Sequence, residues 1–132
     1  MSILSKIVEW NNNRGLIERG FNHTNEVSFI VEELLESTGK YNSLSAREGA
    51  IQITNSIIED SNSDDETKVD AFGDIIVFAT GSIAKLGYDP DKVMDEVFKE
   101  IDSRKGKMID GKFVKDEDAE RYFADFSGCK SE

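Results

Sequence analysis

Cysteine, histidine, proline and tryptophan each occur once in this 132-residue chain, and each scarcity closes off a class of protein. With Cys129 alone, no intrachain disulfide framework can form. With only Lys130 beside it to activate the thiol, Cys129 reads as an incidental residue. His23 has no cysteine or second histidine to join it, which argues against a zinc site of imidazole and thiolate ligands. One proline, little period-two alternation and recurrent helical periodicity point to an all-α domain. No apolar run approaches the length of a membrane-spanning helix, and the start, Met1-Ser2-Ile3-Leu4-Ser5-Lys6, lacks the apolar region of a signal peptide. The expected location is therefore the cytoplasm. Positive charge is also short: 16 Lys and Arg against 27 Asp and Glu leave a net charge of −11. Nucleic acid polymers and anionic membranes need a basic footprint, so neither is an expected partner. A small phosphate ligand remains open, because metal ions and a few local lysines can reach it.

What is present is a succession of helix signals in a chain long enough for one domain with a real core. Ile3, Leu4, Ile7, Val8 and Trp10 make a stripe over residues 2–12. A loop with Gly15 and Gly20 follows. Thr24 or Asn25 can cap a second helix, 26–37, with Val27, Ile30, Val31, Leu34 and Leu35 inward and Gly39 at its end. Ser45-Ala46-Arg47-Glu48 and Ser63-Asp64-Asp65-Glu66 have the capping-box pattern and open a third helix, through Ala50, Ile51, Ile53, Ile57 and Ile58, and a fourth, reaching about Leu86. Asp89-Pro90 starts a fifth, with Val93, Met94, Val97, Phe98 and Ile101 as its stripe. Beyond Gly106 the pattern changes. Asp110-Gly111 between short apolar runs is a hairpin signal, and the polar tail carries Tyr122, Phe123 and Phe126. The expected architecture is a four- to five-helix bundle. Residues 1–106 are expected to form its helical domain, which would carry any catalytic site, and 107–132 an extension packed on the bundle or on a neighbouring subunit.

The chemistry concentrates in two acidic stretches, Glu32-Glu33-Leu34-Leu35-Glu36 and Asp70-Ala71-Phe72-Gly73-Asp74. Carboxylates three or four residues apart stack on one helix face, where like charges repel by about 0.2–0.5 kcal/mol per pair. Alone, the first stretch is what a solvated helix face carries. The second borders Ile75, Ile76, Val77 and Phe78, and a helix apolar on most sides is expected to be buried. Asp70 and Asp74 would then lie in or near the core, where unpaired charge is costly. Gly73 would admit another backbone close by. Two facing ladders would make an oxygen-only site for Mg²⁺, with Mn²⁺ as an alternative.

Glu33-x-x-Glu36 followed by an acidic pair before an apolar helix resembles the all-α nucleoside triphosphate pyrophosphohydrolase superfamily. That superfamily includes MazG proteins, dimeric dUTPases and phosphoribosyl-ATP pyrophosphohydrolases. The run from Glu96 to Lys107, with Ser103-Arg104-Lys105-Gly106-Lys107, and then Asp110-Gly111-Lys112 and Lys115, is similar to small phage-type MazG-like proteins. The likeness covers about residues 22–115. One departure stands out. The usual second motif is Glu-x-x-Asp ending at Asp74, but position 71 is Ala71, and the acid is Asp70, one place earlier. On a helix Asp70 still shares the face of Asp74, with a shorter arm.

The resemblance implies hydrolysis of (d)NTP to (d)NMP and pyrophosphate, with a homodimer or homotetramer as the working form. It implies metal ligation by Glu33, Glu36, Asp70 and Asp74, and a water-activating role for Glu32 or Glu33. It implies phosphate binding by Arg104, Lys105, Lys107 and Lys115, and a base pocket formed by Trp10, Asn13 and Phe21. A plainer account of the cations is a basic helix C-terminus favoured by the helix dipole; a plainer account of Trp10 is packing. The rival functions are the same chemistry on phosphoribosyl-ATP or a signalling nucleotide, and an acidic, non-enzymatic helical binding protein.

Overall fold

Each helix of the chain begins where a short polar side chain accepts a hydrogen bond from a backbone N–H just inside it. In the computed structural model, Ser2 accepts from Ser5 at the head of α1 (Ile3–Asn13), and Asn22 from Asn25 at α2 (His23–Glu36). Asn42 accepts from Ser45 at α3 (Ser43–Ile58), Asp64 from Thr67 at α4 (Asp65–Lys85), and Asp89 from Asp91 at α5 (Pro90–Ser103). Such caps contribute about 1 kcal/mol each, because otherwise the first-turn N–H groups lack intrahelical partners. Three starts differ from the sequence reading. Asn22, rather than Thr24 or Asn25, caps α2. Ser45 is not the cap of α3 but the third helical residue, whose hydroxyl completes a capping box with Asn42. Asp64 replaces Ser63. Asn and Asp are as good at capping as Ser, so pattern alone does not choose between neighbouring candidates.

The structure describes residues 1–110, 112–116 and 119–132, with only the backbone of Lys112. Among them, five helices and one two-stranded antiparallel ribbon make a mostly helical fold, compatible with an all-α bundle. The ribbon, β1 (Gly106–Ile109) and β2 (Lys112–Lys115), stands where the hairpin signal lies. Gly111 of that signal lies outside the described residues, while Asp110 takes the left-handed backbone, φ 50°, that such turns require. No helix among the described residues is long and apolar enough to cross a membrane.

The chain divides into two compact units, residues 19–62 and residues 1–18 with 63–132. The first unit is the helical hairpin of α2 and α3. Its centre is made of small side chains: Ala46, Ala50 and Thr54 of α3, one turn apart, are fully buried, and Ser28 of α2 is 2% exposed. Small residues at this spacing let two helix backbones approach closely, as Gly49 also shows. A Cβ there would stand 3.1 Å from Leu35 Cδ1. The isoleucines expected to line α3 are instead largely outside, with Ile51, Ile53 and Ile57 exposed, and Leu34 of α2 is exposed as well.

In the second unit α5 is the element that the others meet. Its stripe of Val93, Met94, Val97, Phe98 and Ile101 is half-buried, as the periodicity anticipates. Trp10 of α1 donates its indole N–H to the carbonyl of Ile101 at 3.2 Å and meets Phe113 of β2 edge-on at 5.6 Å between centroids. The tail lies along α5 through side-chain acceptors at Glu96, Glu100 and Ser103, which take the N–H groups of Asp125, Ala124 and Tyr122. It ends where Asp89 N donates to the Cys129 carbonyl at 2.7 Å and Ser131 N to the Gly87 carbonyl at 2.9 Å. The fourth helix departs from expectation. Within the chain none of its residues is buried, and Val69, Ile76, Val77 and Phe78 are between 51% and 75% exposed. Asp70 and Asp74 are exposed too. The intrachain contacts of α4 do not bury its apolar surface, so the expected core position of the two aspartates is corrected to a surface one.

Candidate metal centre

Glu32, Glu33 and Glu36 occupy the last turns of α2, where Glu32 and Glu33 stand four and three residues before Glu36 and so each neighbours it one turn away. Each offers one oxygen, and the three oxygens lie within 4.8 Å of one another. Their surroundings differ. Glu32 is buried, Glu36 is half-buried and Glu33 is exposed. A donor set made only of carboxylates suits a hard divalent cation such as Mg²⁺, with water or ligand oxygens completing its shell. The residues present therefore fit such an ion. The other acidic pair, Asp70 and Asp74, sits one turn apart on α4, in the second unit.

The buried member of the cluster is not left uncompensated. Arg47 of α3 reaches across the hairpin and places Nη1 3.4 Å from Glu32 Oε1 and 2.9 Å from Ser28 Oγ. Ser28 in turn donates its hydroxyl to the Asn25 carbonyl at 2.7 Å, so its oxygen is oriented to accept from the guanidinium. The flat guanidinium also lies over the Phe29 ring, 4.8 Å from its centroid. Arg47 is thus held on three sides, and Glu32 with it. Sequence reasoning passed over Arg47 because it stands inside the pattern Ser45-Ala46-Arg47-Glu48, which reads only as a helix start. The available signal was the symmetry of a tight antiparallel hairpin. With residues 37–42 connecting α2 to α3, position 32 comes level with position 47. Glu26, near the other end of α2, was also passed over; burial pushes its carboxyl above the ordinary 4.5.

The four candidate phosphate-binding cations all belong to the second unit. Arg104 caps the end of α5, and its Nη2 stands 3.4 Å from Glu100 Oε2. Its Nε is buried with no partner among the described residues. Lys105 is exposed, and its carbonyl accepts from Asp116 N at 2.6 Å. Lys107 pairs with Val114 and Lys115 with Gly106 in the ribbon, so the two lysines stem from opposite faces of it. The ribbon does not bring all four together. Of the base-pocket candidates, Trp10 is engaged internally. Besides its bond to Ile101 and contact with Phe113, it carries the Arg14 guanidinium 4.1 Å from its ring centroid. Asn13, at the end of α1, is exposed. Phe21 is 56% exposed and stacks on His23 at 5.8 Å, in the other unit.

No protein-family model, curated protein or solved structure matches the chain.

Proposed function

We propose that this protein is a Mg²⁺-dependent nucleotide pyrophosphohydrolase that cleaves a (d)NTP to the (d)NMP and pyrophosphate, and that it works as a homo-oligomer. The observation that carries the reading is the cluster of Glu32, Glu33 and Glu36, whose ligand oxygens lie within 4.8 Å. It occupies the segment that carries the resemblance to the all-α pyrophosphohydrolases. A bound divalent cation would neutralise phosphate oxygens and lower the pKa of the attacking water. Glu33 and Glu36, the more exposed members of the cluster, would hold the cation, and Glu33 would also take the proton of the water that attacks the α-phosphorus as pyrophosphate leaves. Asp70 and Asp74 enter as further ligands, and Arg104, Lys105, Lys107 and Lys115 as phosphate partners, on the resemblance alone. Trp10, whose N–H is committed to Ile101, Asn13 and Phe21 enter as candidates for the base on the resemblance alone. The homo-oligomer is supported by α4, whose apolar side chains the single chain leaves uncovered.

A panel of NTPs and dNTPs with Mg²⁺, scored for monophosphate and pyrophosphate, tests the activity. At least one nucleotide should yield equal amounts of the two products. Glu33→Gln and Glu36→Gln should each cost about a hundredfold or more, since even partners behind metal ligands typically cost 10–100-fold. Asp74→Asn should lower turnover too if Asp74 is a ligand. The reading fails if no nucleotide is cleaved, or if both glutamate variants retain wild-type rates.

A further inference from the structure

The charges of α4 are not spread evenly along it. Its acids, Asp65, Glu66, Asp70 and Asp74, all stand in its first half, residues 75–84 carry no charge, and Lys85 closes its last turn. Lys68, also in the first half, is engaged locally and donates to the Ser63 carbonyl at 2.6 Å. Asp70, Asp74, Val77, Phe78, Gly81 and Lys85 follow one another at steps of about one helical turn, so they share one face. That face is open. Val77 is 66% and Phe78 75% exposed, and Asp70, Asp74 and Lys85 are exposed with them. Among the described residues, none of these three charges has an ion-pair partner. We infer that this face docks on the same face of a second copy, with the two α4 helices antiparallel about a two-fold axis between Val77 and Phe78. The inference rests on the homo-oligomer of the proposed reading and deepens it.

Symmetry and charge together identify the occupant. A two-fold interface must be self-complementary, because the same patch serves both copies. Asp70 lies as far before the point between Val77 and Phe78 as Lys85 lies beyond it, and Asp74 as far before it as Gly81 beyond. Antiparallel docking therefore sets Val77 of each copy on Phe78 of the other and Asp70 opposite Lys85. Asp74 comes opposite Gly81, which presents no side chain against it. The two Asp70–Lys85 pairs stand about 22 Å apart, at either end of the apolar contact, by the rise of an α-helix. An apolar centre bounded by polar groups is the usual anatomy of an interface. Parallel docking is opposed by the same residues. It would set Asp70 on Asp70 and Asp74 on Asp74, and like charges across an interface disfavour association. The antiparallel arrangement gives Asp70 a partner other than a metal ion.

Sedimentation equilibrium of the full chain tests the contact through charge exchanges at these exposed positions. Asp70→Lys and Lys85→Asp should each weaken association at least about tenfold, because each removes both ion pairs and leaves two like-charge contacts. The double variant Asp70→Lys/Lys85→Asp restores both pairs with their signs exchanged, and should return to within about threefold of the wild type. Should an exchange lower the helical circular dichroism signal, cross-linking with diamide gives an independent reading. Asp74→Cys mixed with Gly81→Cys should form a disulfide-linked dimer, while neither variant alone should. A Cβ at position 81 meets nothing within 4 Å in its own chain, and the native Cys129 is buried. A wild type that sediments as one chain at micromolar concentration overturns the oligomer, and this contact with it. An oligomer that neither single exchange weakens, or whose double variant stays as weak as the single ones, leaves the oligomer standing and overturns the antiparallel contact.

Discussion

At the scale of single residues, a hydrogen-bonded carboxylate apart from the acidic cluster ties the tail to α5. The Glu96 carboxylate accepts the Tyr122 hydroxyl, the Asp125 N–H and the Lys99 ammonium. The Tyr122 bond lowers its pKa most, followed by the Asp125 N–H and Lys99, and together they hold it at about 2 rather than 4.5. Tyr122 is pushed up to about 12 by the same bond. The sign of the acid effect follows from linkage. A depressed carboxyl pKa stabilises the folded chain above about 4.5, and that contribution is lost as pH falls toward 2. The raised phenol acts at the other end, stabilising below pH 10 and losing its effect as pH rises through about 12. Thermal melts should therefore show Tyr122→Phe below wild type near neutral pH, with the gap narrowing as pH falls from 4.5 toward 2. A gap that stays constant across that window would show that the bond does not anchor the tail. Neither residue's role was legible beforehand, because Glu96 and Tyr122 meet only after the chain has turned back along α5. Trp10 shows the converse. Its packing role was the plainer of two readings of a lone tryptophan, and its bond to Ile101 ties α1 to the end of α5.

At the scale of elements, the helices were readable because a capping side chain and a 3.6-residue apolar period are local properties. Their number, order and approximate ends agree with the sequence reading, as does the ribbon after α5. Which face turns inward was less legible, and α3 shows why. Its isoleucines have the larger transfer energy, but its close packing on α2 is made by Ala46, Ala50 and Thr54. Close approach of two backbones selects for small volume, whereas transfer energy grows with side-chain area and so ranks the larger residue first. Ala50 has no spare room at 0% exposure. Ala50→Leu should force the helices apart and destabilise the hairpin by about 1–3 kcal/mol, measured by urea denaturation. A change smaller than the error of extrapolation would mean that the hairpin is loosely packed.

At the scale of the whole molecule, α4 is the element whose surroundings within one chain do not suit its composition. Phe78 is 75% exposed and Val77 66%, and both sit in an apolar run that periodicity assigns to an interior. The proposed oligomer resolves this by covering α4 with another copy. Sedimentation of the wild type should give a multiple of the chain mass, and Phe78→Asp should shift it toward a single chain. Because Phe78 packs on little within the chain, that substitution should leave the helical circular dichroism spectrum near wild type. A wild type that sediments as one chain at micromolar concentration would refute the oligomer.

The sequence by itself determined the helical class, the positions of the five helices, the ribbon and the acidic clustering of Glu32, Glu33 and Glu36. All of these follow from local spacing, caps and turn chemistry. Tertiary structure decided what surrounds that cluster. Arg47, fifteen residues on, pairs with Glu32 from the facing helix, while Glu36 is half-buried and Glu33 exposed. It also decided that the apolar side chains around Asp70 and Asp74 stand at the surface of the single chain. Burial and charge pairing depend on what packs opposite a residue, and residue spacing along one helix does not specify its partner.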